Sequence, residues 1–173
     1  MPNPEYDKLH PCFLWVRDYL RRVAPENRLP GRQHIDPVDL RSVLSLINLA
    51  EVLHEGGRLR FRFRLVGTTQ TTLAGREITG KFVEDAVLPE LRDRIIANMR
   101  QASEGGLPVY DRFPMPHPGR KYIDTERIYF PLAADGETVD MLLILNGYPG
   151  NPEYMPRVSL FATGPATTSH WPP

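Results

Sequence analysis

The sequence predicts an α+β domain. A five-stranded antiparallel sheet is covered by short helices inserted after its second strand, and an amphipathic helix precedes the domain. Residues 58–65 alternate strictly between arginine and an apolar residue, which is the period of a half-buried strand. Residues 67–80 are rich in threonine and glycine, which indicates short helical turns over the apolar face of that strand. Three further strand-like segments follow the next helix.

Length and composition limit the class of protein. With 173 residues the chain can form one domain with appended ends, because domains commonly hold roughly 100–150 residues. Lys plus Arg and Asp plus Glu number 21 each, so the net charge is zero and neither nucleic acid nor a membrane is an expected partner. The single cysteine, Cys12, excludes an intrachain disulfide and a cysteine-built zinc site. Without an apolar segment of membrane-spanning length or a leader peptide, we expect a cytoplasmic protein.

Residues 1–28 are predicted to contain the amphipathic helix. Apolar residues recur at helical spacing from Leu9 to Val23, charged residues occupy the complement, and Pro25 ends the pattern. The apolar stripe has no partner in the neighbouring sequence. The helix therefore either covers the back of the sheet or pairs with a second copy of itself, and the sequence leaves both open.

Five strands are predicted within the domain, residues 29–148. A Gly-Gly pair after Glu55 predicts a hairpin into the arginine-rich strand. Met141 to Leu145 is apolar on both faces, as in a central strand, whereas the prolines around the Val109 strand fit a sheet edge. The predicted strands are residues 47–54, 58–66, 109–115, 122–132 and 138–148.

Helices and a tail complete the prediction. Asp36 and Pro37 have the character of an N-cap and a first helical residue, which predicts a short helix to about Leu46. A longer helix is predicted over residues 89–103, where apolar residues recur at four-residue spacing before a Gly-Gly pair. Residues 149–173 have no periodicity and are predicted to form a tail, partly disordered.

The arginines of the alternating strand have two interpretations. Arg58, Arg60, Arg62 and Arg64 form one face of the strand and could bind an anion or an acidic partner. More often such a row is a solvated sheet edge that is partly paired to carboxylates of the neighbouring strand, such as Glu51. The second interpretation is the one we favour.

Four short motifs resemble the PAS domain, over Leu29 to Tyr148. They are Leu29-Pro-x-Arg32, Ile35-Asp-Pro37, Phe63-Arg-Leu-Val-Gly-Thr68 and Leu73-x-Gly-x-x-Ile-x-Gly80. In order and spacing they are similar to a bacterial PAS subfamily that is often found as small stand-alone proteins. The resemblance implies a sensory or interaction module and not a catalyst. Such modules bind a small molecule or a partner and pass a conformational change through flanking helices, often as dimers.

A ligand pocket is predicted between the apolar face of the sheet and the inserted helices. The space is either a solid core or a small cavity. The predicted lining residues are Phe61, Phe63, Leu65, Leu73, Ile78, Phe82, Ile95, Met99, Ile128, Phe130, Met141 and Leu143.

Neither a cofactor nor a metal is predicted. Haem-binding PAS domains commonly carry a histidine on the long helix before the third strand, and residues 89–103 contain none. Flavin-binding photosensory relatives use a cysteine in the inserted helices, whereas Cys12 lies outside the domain. The five histidines have no pair at the three- or four-residue spacing of a helical metal site.

Three functions follow from this interpretation. The first is a sensor that signals in trans to an unidentified partner protein, because no output domain follows, and that forms a homodimer through the N-terminal helix or the sheet. The second is a ligand-free adaptor with a filled interior. The third is a small cone-shaped α+β enzyme, which would need a buried acid and base. Only Glu77, Glu84 and Asp85 are acidic candidates near the inserted helices, and no catalytic residues are predicted.

Overall fold

The computed structural model describes residues 9–161 and has the predicted five-stranded antiparallel sheet. The strand order is β2-β1-β5-β4-β3. The helices are α1 (Pro11–Val23), α2 (Thr68–Ala74), α3 (Val83–Ala86) and α4 (Pro89–Gly105), and the strands are β1 (Ile47–Glu55), β2 (Arg58–Leu65), β3 (Val109–His117), β4 (Arg120–Leu132) and β5 (Met141–Gly147). Residues 1–8 of the predicted N-terminal segment and 162–173 of the predicted tail lie outside the described part.

The predicted positions of the strands in the sheet are confirmed. β5 is the central strand, and β2 and β3 are the edges. On β2, Arg62 and Arg64 both pair with Glu51 of β1, at nitrogen–oxygen distances of 2.7 and 3.2 Å. Arg60 pairs with Glu84 at 2.7 Å. The arginine row is therefore a paired, solvated edge, as the sequence favoured.

Helix α1 covers one face of the sheet, which we call the outer face. The helix begins with Pro11, whose ring suits the first helical position, and ends at Val23 before Pro25. Its buried side chains are Cys12, Phe13, Val16, Tyr19 and Leu20. They share a core with Ile128, Phe130, Leu143 and Leu145 of the sheet. Of the two possibilities for the apolar stripe, the structure adopts the one in which the helix covers the sheet.

Phe13 packs directly between α1 and the sheet. Its side chain has no solvent exposure, and a Cβ atom added to Gly147 of β5 would lie 2.7 Å from the ring atoms Cε2 and Cζ. The ring therefore occupies the space that a side chain at 147 would need. Neighbouring Cys12 is equally buried, and burial raises the pKa of its thiol to about 12. Cys12 is consequently unreactive while α1 is packed.

Helices α2, α3 and α4 cover the opposite face, which we call the inner face. Phe61 and Phe63 of β2 point to this side, as the alternation of the strand predicts. The core of the inner face also contains Ala50, Val52, Ile78, Val83, Ala86, Ile95, Met99, Ala102, Val109, Phe113, Tyr129, Val139, Leu142 and Ile144. The sheet is thus buried on both faces, between α1 and the inserted helices.

Two segments differ from the sequence interpretation. The helix predicted from Asp36 to Leu46 is a series of turns that ends in a short 3-10 segment, Leu44–Leu46. Asp36 does act as a cap, since its Oδ1 accepts a hydrogen bond from the backbone of Val38 at 2.9 Å. The start of the predicted tail is also ordered, because Phe161 is buried and its ring centroid lies 5.4 Å from that of Trp15 on α1.

Within residues 9–161, none of the helices combines the length and the apolar character needed to cross a bilayer.

Candidate functional site

A cavity of about 430 Å³ lies between the inner face of the sheet and the inserted helices. Apolar side chains form most of its wall. The lining residues are Asn48, Phe63, Gln70, Leu73, Ala74, Arg76, Ile78, Ala86, Val87, Leu88, Leu91, Ile95, Met115, Pro116, His117, Pro118, Lys121 and Arg127. The cavity is thus bounded by β1, β2, the inserted helices, and the neighbouring strands β3 and β4.

The structure places half of the predicted pocket residues on the inner side. Phe63, Leu73, Ile78 and Ile95 line the cavity. Phe61 and Met99 are buried in the inner-face core beside it but do not line it.

Four of the predicted pocket residues lie on the other side of the sheet. Ile128, Phe130 and Leu143 belong to the outer-face core under α1, and Met141 packs against the same core. Their neighbours Tyr129, Leu142 and Ile144 face the inserted helices instead. The predicted register of β4 and β5 was therefore wrong by one residue, which moves every side chain to the opposite face.

The two remaining predicted pocket residues lie at the edge of the sheet. Leu65 is 41% exposed, because a bulge between Leu49 and Ala50 shifts the register at the end of β2. Phe82 is half-buried beside β2, where the guanidinium carbon of Arg60 lies 3.6 Å from its ring centroid. Neither residue belongs to the cavity wall.

Two buried amides that the sequence analysis did not identify line the cavity. Asn48 and Gln70 are 4% and 9% exposed. The Asn48 Oδ1 accepts a hydrogen bond from the backbone of Gly67 at 3.0 Å, and the Gln70 Oε1 accepts one from the Tyr148 hydroxyl at 2.7 Å. Both oxygens are thus occupied, and the two NH₂ groups have no hydrogen-bond partner within residues 9–161.

Arg127 of β4 is the buried charged group among the residues that line the cavity. It is only 8% exposed, and its Nε is buried without a hydrogen-bond partner in the described structure. Its guanidinium carbon lies 4.9 Å from the ring centroid of Phe113. Asp111, directly opposite on β3, is engaged by Arg94 and by Asn98, whose Nδ2 lies 2.6 Å from Oδ2. Arg127 therefore has no ion pair within 4 Å in the described part of the chain.

The mouth of the cavity has further positive charge. Arg76 and Lys121 line it and are exposed, and Arg76 donates a 2.7 Å hydrogen bond to the carbonyl of Ala86. His117 lies beside them at the end of β3. Among residues 9–161, no aspartate or glutamate lines the cavity. The wall is consequently apolar, with hydrogen-bond donors and positive charges at a few points.

The three acidic candidates for catalysis lie elsewhere. The Glu77 carboxylate accepts hydrogen bonds from its neighbours, and those from Thr79 lower its pKa most strongly. Glu84 pairs with Arg60, and Asp85 is exposed in the first turn of α3. A carboxylate with a raised pKa does occur at Glu126, where burial is the main cause, but it lies on the outer face and accepts from the Tyr110 hydroxyl at 3.2 Å.

A second, shallower groove of about 790 Å³ lies at the end of the molecule near the β1–β2 hairpin. Its lining mixes cations and carboxylates, among them Arg58, Arg100, Glu104 and Glu137, which are all exposed. These cations and carboxylates can pair with one another, so the groove is a weaker candidate than the inner-face cavity.

Comparisons with known proteins agree with the architecture. A family described as "PAS domain" matches residues 9–145. No curated protein matches the chain.

Solved structures with a similar chain path include a light-oxygen-voltage domain studied with a flavin analogue, which is 12% identical, with 68% of this chain and 86% of that chain covered and a TM-score of 0.49. A PAS domain of a Colwellia psychrerythraea protein is 17% identical, with 65% and 97% covered and a TM-score of 0.43. The N-terminal domain of a Marinobacter aquaeolei diguanylate cyclase with a PAS/PAC sensor is also 17% identical, with 59% and 94% covered and a TM-score of 0.42.

Proposed function

The chain belongs to the PAS domain family, whose pattern it matches over residues 9–145, and on this premise we propose that it is a cytoplasmic sensor that regulates a partner protein in trans. A small molecule binds in the inner-face cavity and shifts the position of α1. The observation that carries this proposal is the cavity itself, because its volume of about 430 Å³ falls within the roughly 300–1,000 Å³ typical of small-molecule sites. A ligand-free adaptor has no need of such a space.

A chain of contacts leads from the cavity to α1. Gln70 lines the cavity and accepts a hydrogen bond from the hydroxyl of Tyr148, at 2.7 Å. Burial raises the pKa of Tyr148 to about 12, so this hydroxyl stays protonated and donates. The preceding residue, Gly147, touches the ring of Phe13 on α1.

We propose that these contacts transmit the signal. A ligand that binds Gln70 weakens or strengthens its hydrogen bond to Tyr148. The resulting shift of Tyr148 and Gly147 changes the packing of Phe13 against the sheet. The ligand can shift this equilibrium only by the difference between its affinities for the two arrangements of α1. The partner protein reads the surface that α1 covers or exposes.

The proposal is tested by native mass spectrometry of freshly purified protein together with a thermal-shift screen of metabolites. We expect either a retained small molecule or a metabolite that raises the unfolding temperature, because a ligand that binds only the folded state stabilises it. Leu91→Trp fills part of the cavity and should abolish both effects. Leu107→Trp is the control, since Leu107 is 48% exposed and does not line the cavity.

The same experiment separates the alternatives. The homodimer remains a proposal, and its mass is read directly from the spectra. A stable dimer without any retained or stabilising small molecule would contradict the sensor and favour the adaptor.

A further inference from the structure

We infer that the inner-face cavity binds an amphipathic organic anion, a carboxylate whose head group contacts Arg127, Asn48 and Gln70 and whose apolar body lies against the helices. The inference rests on the proposed function, because it names the ligand class of the same cavity.

The polar groups of the cavity offer more free hydrogen-bond donors than free acceptors. An arginine presents five N–H donors and no acceptor, and the Asn48 and Gln70 oxygens are already occupied. All three residues are more than nine-tenths buried, and the groups that have no hydrogen-bond partner within residues 9–161 are donors: the Arg127 Nε, which is itself buried, and the NH₂ groups of Asn48 and Gln70. A buried cation without an ion-pair partner is costly, so a ligand with two charged acceptor oxygens matches what the cavity lacks.

The protein groups around Arg127 do not neutralise its charge. The Asp111 carboxylate is occupied by Arg94 and Asn98. Asn146 lies directly opposite Arg127 on β5, and Tyr129 lies two residues further along β4 on the same face. Within residues 9–161 the Asn146 Oδ1 and the Tyr129 hydroxyl are buried without a hydrogen-bond partner, but both groups are neutral, so neither balances the charge of the guanidinium. The ring of Phe113 accepts no conventional hydrogen bond. The terminal nitrogens therefore stay available to the cavity.

The remaining lining residues indicate that the rest of the ligand is apolar. Ile78, Leu91, Ile95 and Met115 give the cavity a long apolar side. Arg76 and Lys121 at the mouth raise the local concentration of anions without being buried. A small inorganic anion would leave the apolar wall empty, and a neutral apolar molecule would leave the donors unpaired.

Three probes with the same seven-carbon alkyl chain test the inference on the 173-residue protein. Octanoate, octanamide and heptyl phosphate differ in the head group, and calorimetry measures their dissociation constants. We expect octanoate to bind roughly 10- to 100-fold more tightly than octanamide, the ratio associated with hydrogen bonds to a charged group. Heptyl phosphate binding more tightly than octanoate would overturn the assignment of a carboxylate.

The variant Arg127→Met is the second test of the inference. It keeps the length of the side chain and should weaken octanoate by a similar roughly 10- to 100-fold factor while leaving octanamide unchanged. Without ligand it should unfold at the same temperature as the wild type or higher, because an unpaired buried charge has been removed. Arg64→Met is the matched control, since that side chain is 60% exposed on the sheet edge.

The outcomes distinguish this inference from the sensor proposal. Equal binding of octanoate and octanamide, or octanoate binding unaffected by Arg127→Met, would overturn the anion and leave a neutral ligand for the sensor. An Arg127→Met protein that does not fold would show a structural role for the arginine and overturn the inference. A neutral molecule retained in the mass spectra would also overturn the anion inference, but it would support the proposed sensor function.

Discussion

Replacing Phe13 with alanine is expected to lower the free energy of unfolding by about 3–5 kcal/mol, the usual cost of removing a buried phenylalanine side chain. The ring has no solvent exposure and fills the space above Gly147, so its loss leaves a cavity between α1 and the sheet. Chemical denaturation measures the change. The same variant should also expose Cys12, whose alkylation rate under native conditions is then expected to rise.

Leu14→Ala is the control for this change. Leu14 lies on the same helix but is only half-buried, so its replacement should cost less and leave Cys12 protected. A Phe13→Ala protein that is as stable as Leu14→Ala, with an unreactive Cys12, would contradict the packing of α1 on the outer face.

Replacing Gly67 with alanine is the second change with a large expected effect. The added Cβ would lie 2.3 Å from the carbonyl oxygen of Ser45 and 2.9 Å from that of Ile47. Both contacts are backbone atoms that cannot rotate away, so the chain must shift at the start of α2. We expect a loss of about 1–3 kcal/mol in the free energy of unfolding, as for other overpacked sites. The shift also lengthens the hydrogen bond from Gly67 to Asn48, so affinity for a cavity ligand should fall.

Gly105→Ala is the matched control, because it makes the same chemical change in the last turn of α4. A Cβ atom there would meet nothing within 4 Å. Since glycine is a poor helix former, this variant should be unchanged or more stable by about 0.5–1 kcal/mol. Equal stability of Gly67→Ala and Gly105→Ala would show that the close approach at Ser45 does not exist.

The sequence predicts the edge of the sheet well because only one face of that strand is apolar. The alternation of arginine and apolar residues in β2 leaves a single register, and Phe61 and Phe63 point inward as expected. Pro25 also predicts the end of α1 at Val23, whereas the apolar pattern begins at Leu9 and the helix begins two residues later, at Pro11.

The central strands could not be assigned in the same way. Residues 128–132 and 141–145 are apolar on both sides, because α1 covers one face and the inserted helices cover the other. Such strands show no two-residue alternation between apolar and polar residues. Their sequence therefore does not indicate whether Ile128 and Phe130, or instead Tyr129, face the inner side. The assignment needs the tertiary position of α1, which depends on contacts far apart in the sequence.

The polar groups of the cavity were missed for a related reason. Charged residues are almost always at the surface, so the sequence alone does not predict that Arg127 is buried. One weak signal was available, since Arg127 directly precedes the apolar residues 128–132, although the first half of β4 is polar and charged. A charge that the fold buries at such a position needs either a partner or a bound ligand. Gln70, in a short threonine-rich helix, offers no comparable signal.

The most direct test of the central claim, that a small molecule binds on the inner face of the sheet, is a methyl NMR titration of the full-length chain. Labelled isoleucine, leucine and methionine methyls are followed as the metabolite with the largest thermal shift is added. The account predicts that Ile78, Ile95 and Met115, which line the cavity, move first and most. Shifts confined to Ile128 and Leu143 of the outer face, with the cavity methyls unmoved, would contradict it.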